Sequence, residues 1–178
     1  MPIRPFENIS PQIADSAFID DTAVVIGDVS IGEDSSLWPC VVARGDVHSI
    51  SVGARSNVQD NTVLHVTHRG KYCPEGRALT IGDDVTIGHS AVVHACTVGN
   101  EVLIGMNATL LDGAVIEDRV VVGAGAVVSP GKRLQSGYLY VGSPARQARP
   151  LKPAELEFFK YSAARYVELA LRHRGSAE

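Results

Sequence analysis

An aliphatic residue recurs every six positions along most of this chain, and that period constrains the fold more than any other feature. It runs through Ile13, Ile19, Val25, Ile31 and Leu37, then Val52, Val58 and Leu64, then Ile81, Ile87 and Val93. A fourth run takes Val98, Ile104, Leu110, Ile116, Val122 and Val128, making 17 hexads in all. Four residues after each aliphatic position the side chain is small or β-branched in 15 of the 17, the exceptions being His68 and Lys132 at the ends of runs. Glycine follows the aliphatic residue in seven hexads, from Gly32 to Gly123. Each hexad reads as one short strand and one corner. The aliphatic side chain points inward, the small residue fits the turn, and glycine is expected to supply corner dihedrals that a Cβ would obstruct. Three sides close a triangular coil, so 17 sides predict an all-β, parallel β-helix of five to six coils. A βα alternation is excluded, because no 3.6-residue period runs between residues 11 and 130.

The breaks in phase mark departures from the prism. Residues 67–78 form a loop punctuated by Gly70, Pro74 and Gly76, and Leu37 to Val52 holds a second irregular stretch containing Ala43-Arg44-Gly45-Asp46. After Val128 the repeat is expected to dissolve at Ser129-Pro130-Gly131. Residues 1–150 are thus the β-helix domain. Residues 151–174 read as a C-terminal α-helix opened by Pro153, with Leu156, Phe159, Ala163, Tyr166 and Ala170 as the stripe that packs on the prism or on a neighbouring subunit.

Composition narrows the partners. Sixteen Lys+Arg against twenty Asp+Glu, with the basic residues scattered, give a net charge of −4 and no footprint for nucleic acid. No apolar stretch is long enough to span a bilayer and no secretory leader opens the chain, so a cytoplasmic, membrane-free protein is expected. Cys40, Cys73 and Cys96 form no CxxC pair and read as free, mostly buried thiols.

The repeat also decides which histidines can meet. His65 follows Leu64 by one and His94 follows Val93 by one, and three sides separate them, which is one full coil. They therefore stack on one side of the prism about 5 Å apart. His89 stands two after Ile87, on a different side, so only a symmetric neighbour could bring it to the pair. A lone histidine on such a surface is ordinarily inert, but a stacked pair in register predicts ligands, and three imidazoles with an open fourth position is the pattern of catalytic zinc. Asp60, two after Val58, stacks beside His89 as a carboxylate that would orient it, or else caps the corner, as Asn57 could. Gln59, one after Val58, can hydrogen-bond a bound ligand. His48, His68 and His173 share no hexad position and are read as bystanders.

With these residues in hand, the chain resembles the gamma-class carbonic anhydrases in their short YrdA-like bacterial branch. The resemblance covers the hexads, Arg44-Gly45-Asp46, Asn57-Val58-Gln59-Asp60, the three histidines, Tyr138 to Arg146 and the terminal helix. It implies a left-handed β-helix and a homotrimer with Zn2+, or Fe2+ or Co2+ in its place, at sites shared between adjacent chains. His65 and His94 would come from one chain and His89 from the next. It also implies that Arg44 and Asp46 pair between subunits, that Gln59 positions a metal-bound hydroxide, and that Tyr140 lines the pocket. The metal would lower the pKa of bound water to about 7, and the hydroxide would hydrate carbon dioxide to bicarbonate. Active members carry a glutamate after the Arg-Gly-Asp aspartate and an acidic loop. Here Val47 stands in the first place, the loop from Thr67 to Glu75 is basic, and Gly142 replaces an asparagine, which together predict weak hydration. The rival readings are a hexapeptide acyltransferase, a metal-dependent acyl-CoA thioesterase served by Arg69 and Lys71, and a non-enzymatic metal-binding protein. Each enzyme reading takes a small-molecule substrate.

Overall fold

The computed structural model describes Ile3 to Gly175 and is a parallel β-solenoid of hexapeptide repeats, matching a left-handed β-helix, with one C-terminal helix. Most hexads form strands of only two or three residues, because each side has room for one outward and one inward side chain before the chain must turn. Their backbone groups bond to the next coil, as in Thr86 N–H to Val102 O (2.9 Å) and Gly88 N–H to Ile104 O (2.8 Å). Every coil is thus the hydrogen-bonding partner of the one beside it.

The inward residues stack in three columns. On the first face these are Ile3, Val25, Ala43, Leu64, Val93, Leu110 and Val128. The second face stacks Ile13, Ile31, Val52, Ile81, Val98, Ile116 and Leu134. The third stacks Ile19, Leu37, Val58, Ile87, Ile104, Val122 and Tyr140. Seven levels result, deeper than the 17 hexads indicate. Ala43, Leu134 and Tyr140 also take inward places, so the repeat continues past Ser129-Pro130-Gly131 to Tyr140. From Val25 to Leu134 the columns are buried, most of them completely, and they form one continuous apolar core.

The glycines that follow inward residues owe their place to crowding rather than to dihedral freedom. A Cβ on Gly82 would stand 2.8 Å from the Gly99 carbonyl carbon, and one on Gly105 would stand 2.4 Å from Ala124 N. The left-handed conformation falls instead two residues later. At the corner between the second and third faces Asp34, Arg55, Asp84, Glu101 and Arg119 all have φ of 53–57°. This costs each non-glycine residue about 1–2 kcal/mol. It is offset because each aligned N–H donates to the preceding coil, as Arg119 N–H does to Asn100 O at 3.0 Å.

The outer surfaces of the three faces differ. The first carries Val24, Val42, Val63, Val92, Thr109 and Val127, a flat β-branched strip. The second is mostly polar, with Gln12, Ser30, Ser51, Thr80, Thr97, Val115 and Arg133. Across the third lies the helix Pro153–Gly175 of the same chain. Glu155 starts that helix by accepting the Lys152 N–H at 2.7 Å, half of a capping box, and by a two-pronged bond from Arg149. Phe159, Ser162, Ala163 and Ala170 are buried, while Leu156, expected in the stripe, is exposed and Ser162 takes part instead. Trp38 packs edge-on against Tyr166 and His173, and Arg174 donates to the Ala17 carbonyl. Strand Arg146–Pro150 turns back antiparallel along the last strand of the third face, Tyr138–Val141. Only Cys96 is buried. Cys73 is half-buried and Cys40 is exposed at a corner with φ of 60°, against the expectation of mostly buried thiols. Among the described residues no helix is long and apolar enough to cross a membrane.

Candidate metal centre

The corner between the first and second faces departs from the six-residue step at three successive levels. The chain takes nine residues from Ala43 to Val52, seventeen from Leu64 to Ile81 and five from Val93 to Val98. The first excess bulges outward between Gly45 and Ile50. The second is the loop closed by the paired backbones of Thr67 and Arg77 (3.0 and 2.9 Å). These departures carry Asp46, His65, Thr67 and His94 to one place.

There His94 pairs in register with His65 on adjacent strands, with ring centroids 5.1 Å apart. His65 Nδ1 and His94 Nε2 face each other at 3.1 Å, and the far nitrogen of each ring reaches a carboxylate. His65 Nε2 meets Asp46 Oδ1 at 3.1 Å, and His94 Nδ1 meets Asp112 Oδ1 at 2.7 Å. Arg44 pairs with Asp46, and the Thr67 hydroxyl donates to Asp112. Burial would raise both carboxyls, but the bonds from Arg44 and His65 outweigh it at Asp46, and those from Thr67 and His94 at Asp112. Both are held below the usual carboxylate range. Burial lowers His65, against the bond from Asp46 that favours its charge.

Two ionised carboxylates fix the tautomers, since each must accept an N–H from its imidazole. With those N–H groups turned to the carboxylates, His65 Nδ1 and His94 Nε2 face one another as acceptors, an arrangement that a cation between them satisfies. Nitrogens held at roughly 2.0–2.1 Å from a tetrahedral zinc ion are about 3.3 Å apart, close to the observed separation, so these donors fit a divalent ion. Asp112 and Thr67 escaped the sequence reading, because Asp112 stands two after Leu110 whereas His94 stands one after Val93, so the two do not share a hexad place as Asp60 and His89 do.

His89 occupies the corner between the third and first faces, where its Nδ1 meets Asp60 Oδ2 at 2.7 Å, as the repeat phase predicts. Within one chain it does not join His65 and His94. Among the described residues no group of three or more His, Cys, Asp or Glu side chains is disposed to hold an ion. Arg44 pairs with Asp46 within the chain, and Asp46 also meets His65. Asn57 is buried beneath the helix, bonded to Thr86, and offers nothing to an outer interface. Gln59 is also buried and donates to Asn57 Oδ1 at 3.1 Å. Tyr140 does not share a pocket with the histidines of its chain. Its ring closes the end of the third column, three levels from Ile87, and its hydroxyl accepts the Gln135 N–H at 2.8 Å. Val47 is half-exposed in a cleft of about 550 Å³ that Glu7, Asp28, His48 and His68 also line, so carboxylates stand nearer Val47 than the basic loop indicates.

A stack of six-residue coils with an imidazole pair on one corner defines a hexapeptide-repeat protein. Accordingly, residues 95–130 match the model of the bacterial transferase hexapeptide (six repeats). The chain is 54% identical to Protein YrdA of Escherichia coli over 93% of its own length and 90% of that protein's. It is 46% identical to the mitochondrial gamma carbonic anhydrase 2 of Arabidopsis thaliana, over 92% of its length but 59% of that relative's. A crystal structure of a putative acetyltransferase from Bacillus cereus superposes with a TM-score of 0.91 at 38% identity, covering 97% of this chain and 96% of that one. The chain belongs to the gamma-class carbonic anhydrase family, in its YrdA-like branch.

Proposed function

We propose that this protein is a homotrimeric, gamma-carbonic-anhydrase-type metalloprotein that hydrates carbon dioxide at sites shared between chains. The observation that carries the reading is the convergence of His65 Nδ1 and His94 Nε2 at 3.1 Å, each ring locked from behind by an ionised carboxylate. His89, with Nδ1 committed to Asp60, keeps Nε2 for a ligand that its own chain does not supply. The two half-sites flank the first face, whose outer strip is valine-rich. Three copies with that face toward a common axis would cover the strip and bring His89 of one chain to His65 and His94 of the next.

In this assembly His65, His94 and His89 would hold a divalent ion, Zn2+ or alternatively Fe2+ or Co2+, while Asp46, Asp112 and Asp60 engage the other nitrogen of each ring and keep the rings aimed. The ion supplies the acidity that turns water into a nucleophile near neutral pH. Gln59, beside Asp60, offers a hydrogen bond to that water. A proton must then leave, and Val47 holds none, so exit falls to the other groups of the cleft and to buffer, which makes turnover slow. The basic loop residues Arg69 and Lys71, suited to the phosphates of an acyl-thioester carrier, support acyl-thioester hydrolysis as the second reading. Assay of the metal-loaded protein on both substrates separates them.

Metal analysis tests the assembly. Close to one ion per chain is expected, lost in His65→Ala, His89→Ala and His94→Ala alike. Mixed trimers refolded from His65→Ala and His89→Ala chains should each regain one site in three, since each mixed ring has a single junction where both halves are whole. A mixture of His65→Ala with His94→Ala should regain none. Metal retained in any single variant, or recovery in that control, overturns the reading.

A further inference from the structure

A chain of buried polar side chains joins the C-terminal helix to the strand that leads into Asp60. Ser162, Thr86, Asn57 and Gln59 are 6, 7, 1 and 5% exposed, in a wall otherwise built for apolar contact. Ser162 Oγ and Thr86 Oγ1 lie 2.8 Å apart, Asn57 Nδ2 donates to Thr86 Oγ1 at 2.9 Å, and Gln59 Nε2 donates to Asn57 Oδ1 at 3.1 Å. Buried polar groups without partners cost free energy, and among the described residues none is left unsatisfied.

The direction of this chain is set by its fixed members. The Val85 carbonyl, already accepting the Asn57 backbone N–H at 2.8 Å, can only accept, so it favours the amide nitrogen of Asn57 facing it, although at 3.4 Å that contact alone holds it weakly. Asn57 then donates to Thr86, and the Thr86 hydroxyl proton turns to Ser162. The remaining Asn57 oxygen takes an N–H from Gln59, which turns the Gln59 carbonyl oxygen away from Asn57. The same helix brings Tyr166 near Asp60. Burial, and then the charge of Asp60, hold the Tyr166 phenol above its ordinary value.

We propose that Ser162, acting through Thr86, is a positioning residue that locks the Gln59 amide with its oxygen free to accept a hydrogen bond from the water nucleophile. The nucleophile's place beside Gln59 rests on the function proposed above, whereas the amide orientation does not. Without the Ser162 hydroxyl the Thr86 proton has the Asn57 amide to turn to, where it competes with the Nδ2 donor that the Val85 carbonyl favours, so the single orientation is loosened. The reversed pair of amides, in which Gln59 would present an N–H and repel a donor, then becomes populated.

The test uses the full-length, zinc-loaded protein with Ser162→Ala, Ser162→Thr and Thr86→Val. In the parent protein the two Gln59 side-chain amide protons should have well-separated NMR resonances, one of them protected from exchange. In Ser162→Ala and Thr86→Val that separation should shrink and the protection should drop about fivefold, the worth of roughly one net hydrogen bond. Metal content should hold. kcat should fall by a similar factor with KM unchanged, and Ser162→Thr should restore both signals and rate. If Ser162→Ala lowers Tm but leaves the Gln59 resonances as in the parent, Ser162 only packs the helix and the proposal fails. Thr86→Val, nearly isosteric, carries the test if Ser162→Ala does not fold. Because the resonances do not depend on turnover, a parent protein inactive on carbon dioxide would sink the proposed function while the orientation is still measured.

Discussion

The corner between the first and second faces and the corner between the second and third are built from the same repeat and obey different rules. At the second–third corner every step is six residues, from Ile13 to Ile19 down to Leu134 to Tyr140. At the first–second corner the chain takes nine, seventeen and five residues at adjacent levels, and the ion-binding candidates sit there. The difference teaches where a solenoid can carry chemistry. A regular corner commits each left-handed residue's N–H to the coil above, so its backbone has no freedom to present anything else. The irregular corner keeps that stacking only in part, as where Ala95 N–H donates to His65 O at 2.9 Å, and its bulge and loop can aim side chains such as Asp46, Thr67 and His94 at a common point.

The comparison breaks most visibly under insertion. Three glycines placed between Asp118 and Arg119 should remove the Arg119 N–H bond to Asn100 and disturb the coils on both sides, at a cost of about 3 kcal/mol or more, in the range of other core disruptions. The same three after Tyr72, at the fully exposed tip of the loop, should cost under about 0.6 kcal/mol. Urea midpoints at unchanged slope measure both, and equal losses would refute the distinction. Next in size, Asp112→Asn should weaken metal binding about 10- to 100-fold, as loss of a carboxylate behind a ligand histidine does. Asp118→Asn, on the regular corner, should leave affinity unchanged, which competition with a chromophoric chelator resolves.

A third prediction concerns pH. The folded carboxyls of Asp46 and Asp112 lie below the ordinary value of 3.8, so the stability they add is full above that value and is lost as pH falls through the folded one. In chelator-stripped protein, the stability gap between parent and Asp112→Asn should be constant from neutral pH to about pH 5 and close below pH 4. A gap that widened in acid would reverse the assignment. The smallest effect expected is on proton exit. Val47→Glu should raise carbon dioxide hydration a few-fold and make it less dependent on buffer concentration. An unchanged buffer dependence would direct attention to Glu7 and Asp28 in the same cleft.

The sequence betrayed the solenoid because inward residues at a regular corner have no choice but to be aliphatic. It hid Ala43 because a side chain that small is indistinguishable from the corner residues, and it hid Leu134 and Tyr140 behind Ser129-Pro130-Gly131. Counting sides was enough to stack His65 on His94 and Asp60 on His89, since register alone decides those contacts. It could not find Thr67 as the partner of Asp112, which depends on how an irregular loop folds back. Nor could it tell that the helix would turn Ser162 inward and Leu156 outward, since the partner of Ser162 is the buried Thr86 hydroxyl on the third face.

The returning strand Arg146–Pro150 has a meaning beyond the site. A stack of parallel coils is a template that another stack could extend, and its last rung would offer a row of bare peptide groups to any chain with a matching edge. On the third face that rung is covered by an antiparallel segment that begins with Arg146, carries Arg149 and ends in Pro150, which has no N–H to give. Charge and a missing donor make the cover itself a poor template. The device sets the length of the molecule and keeps a fold related in geometry to fibres from growing into one.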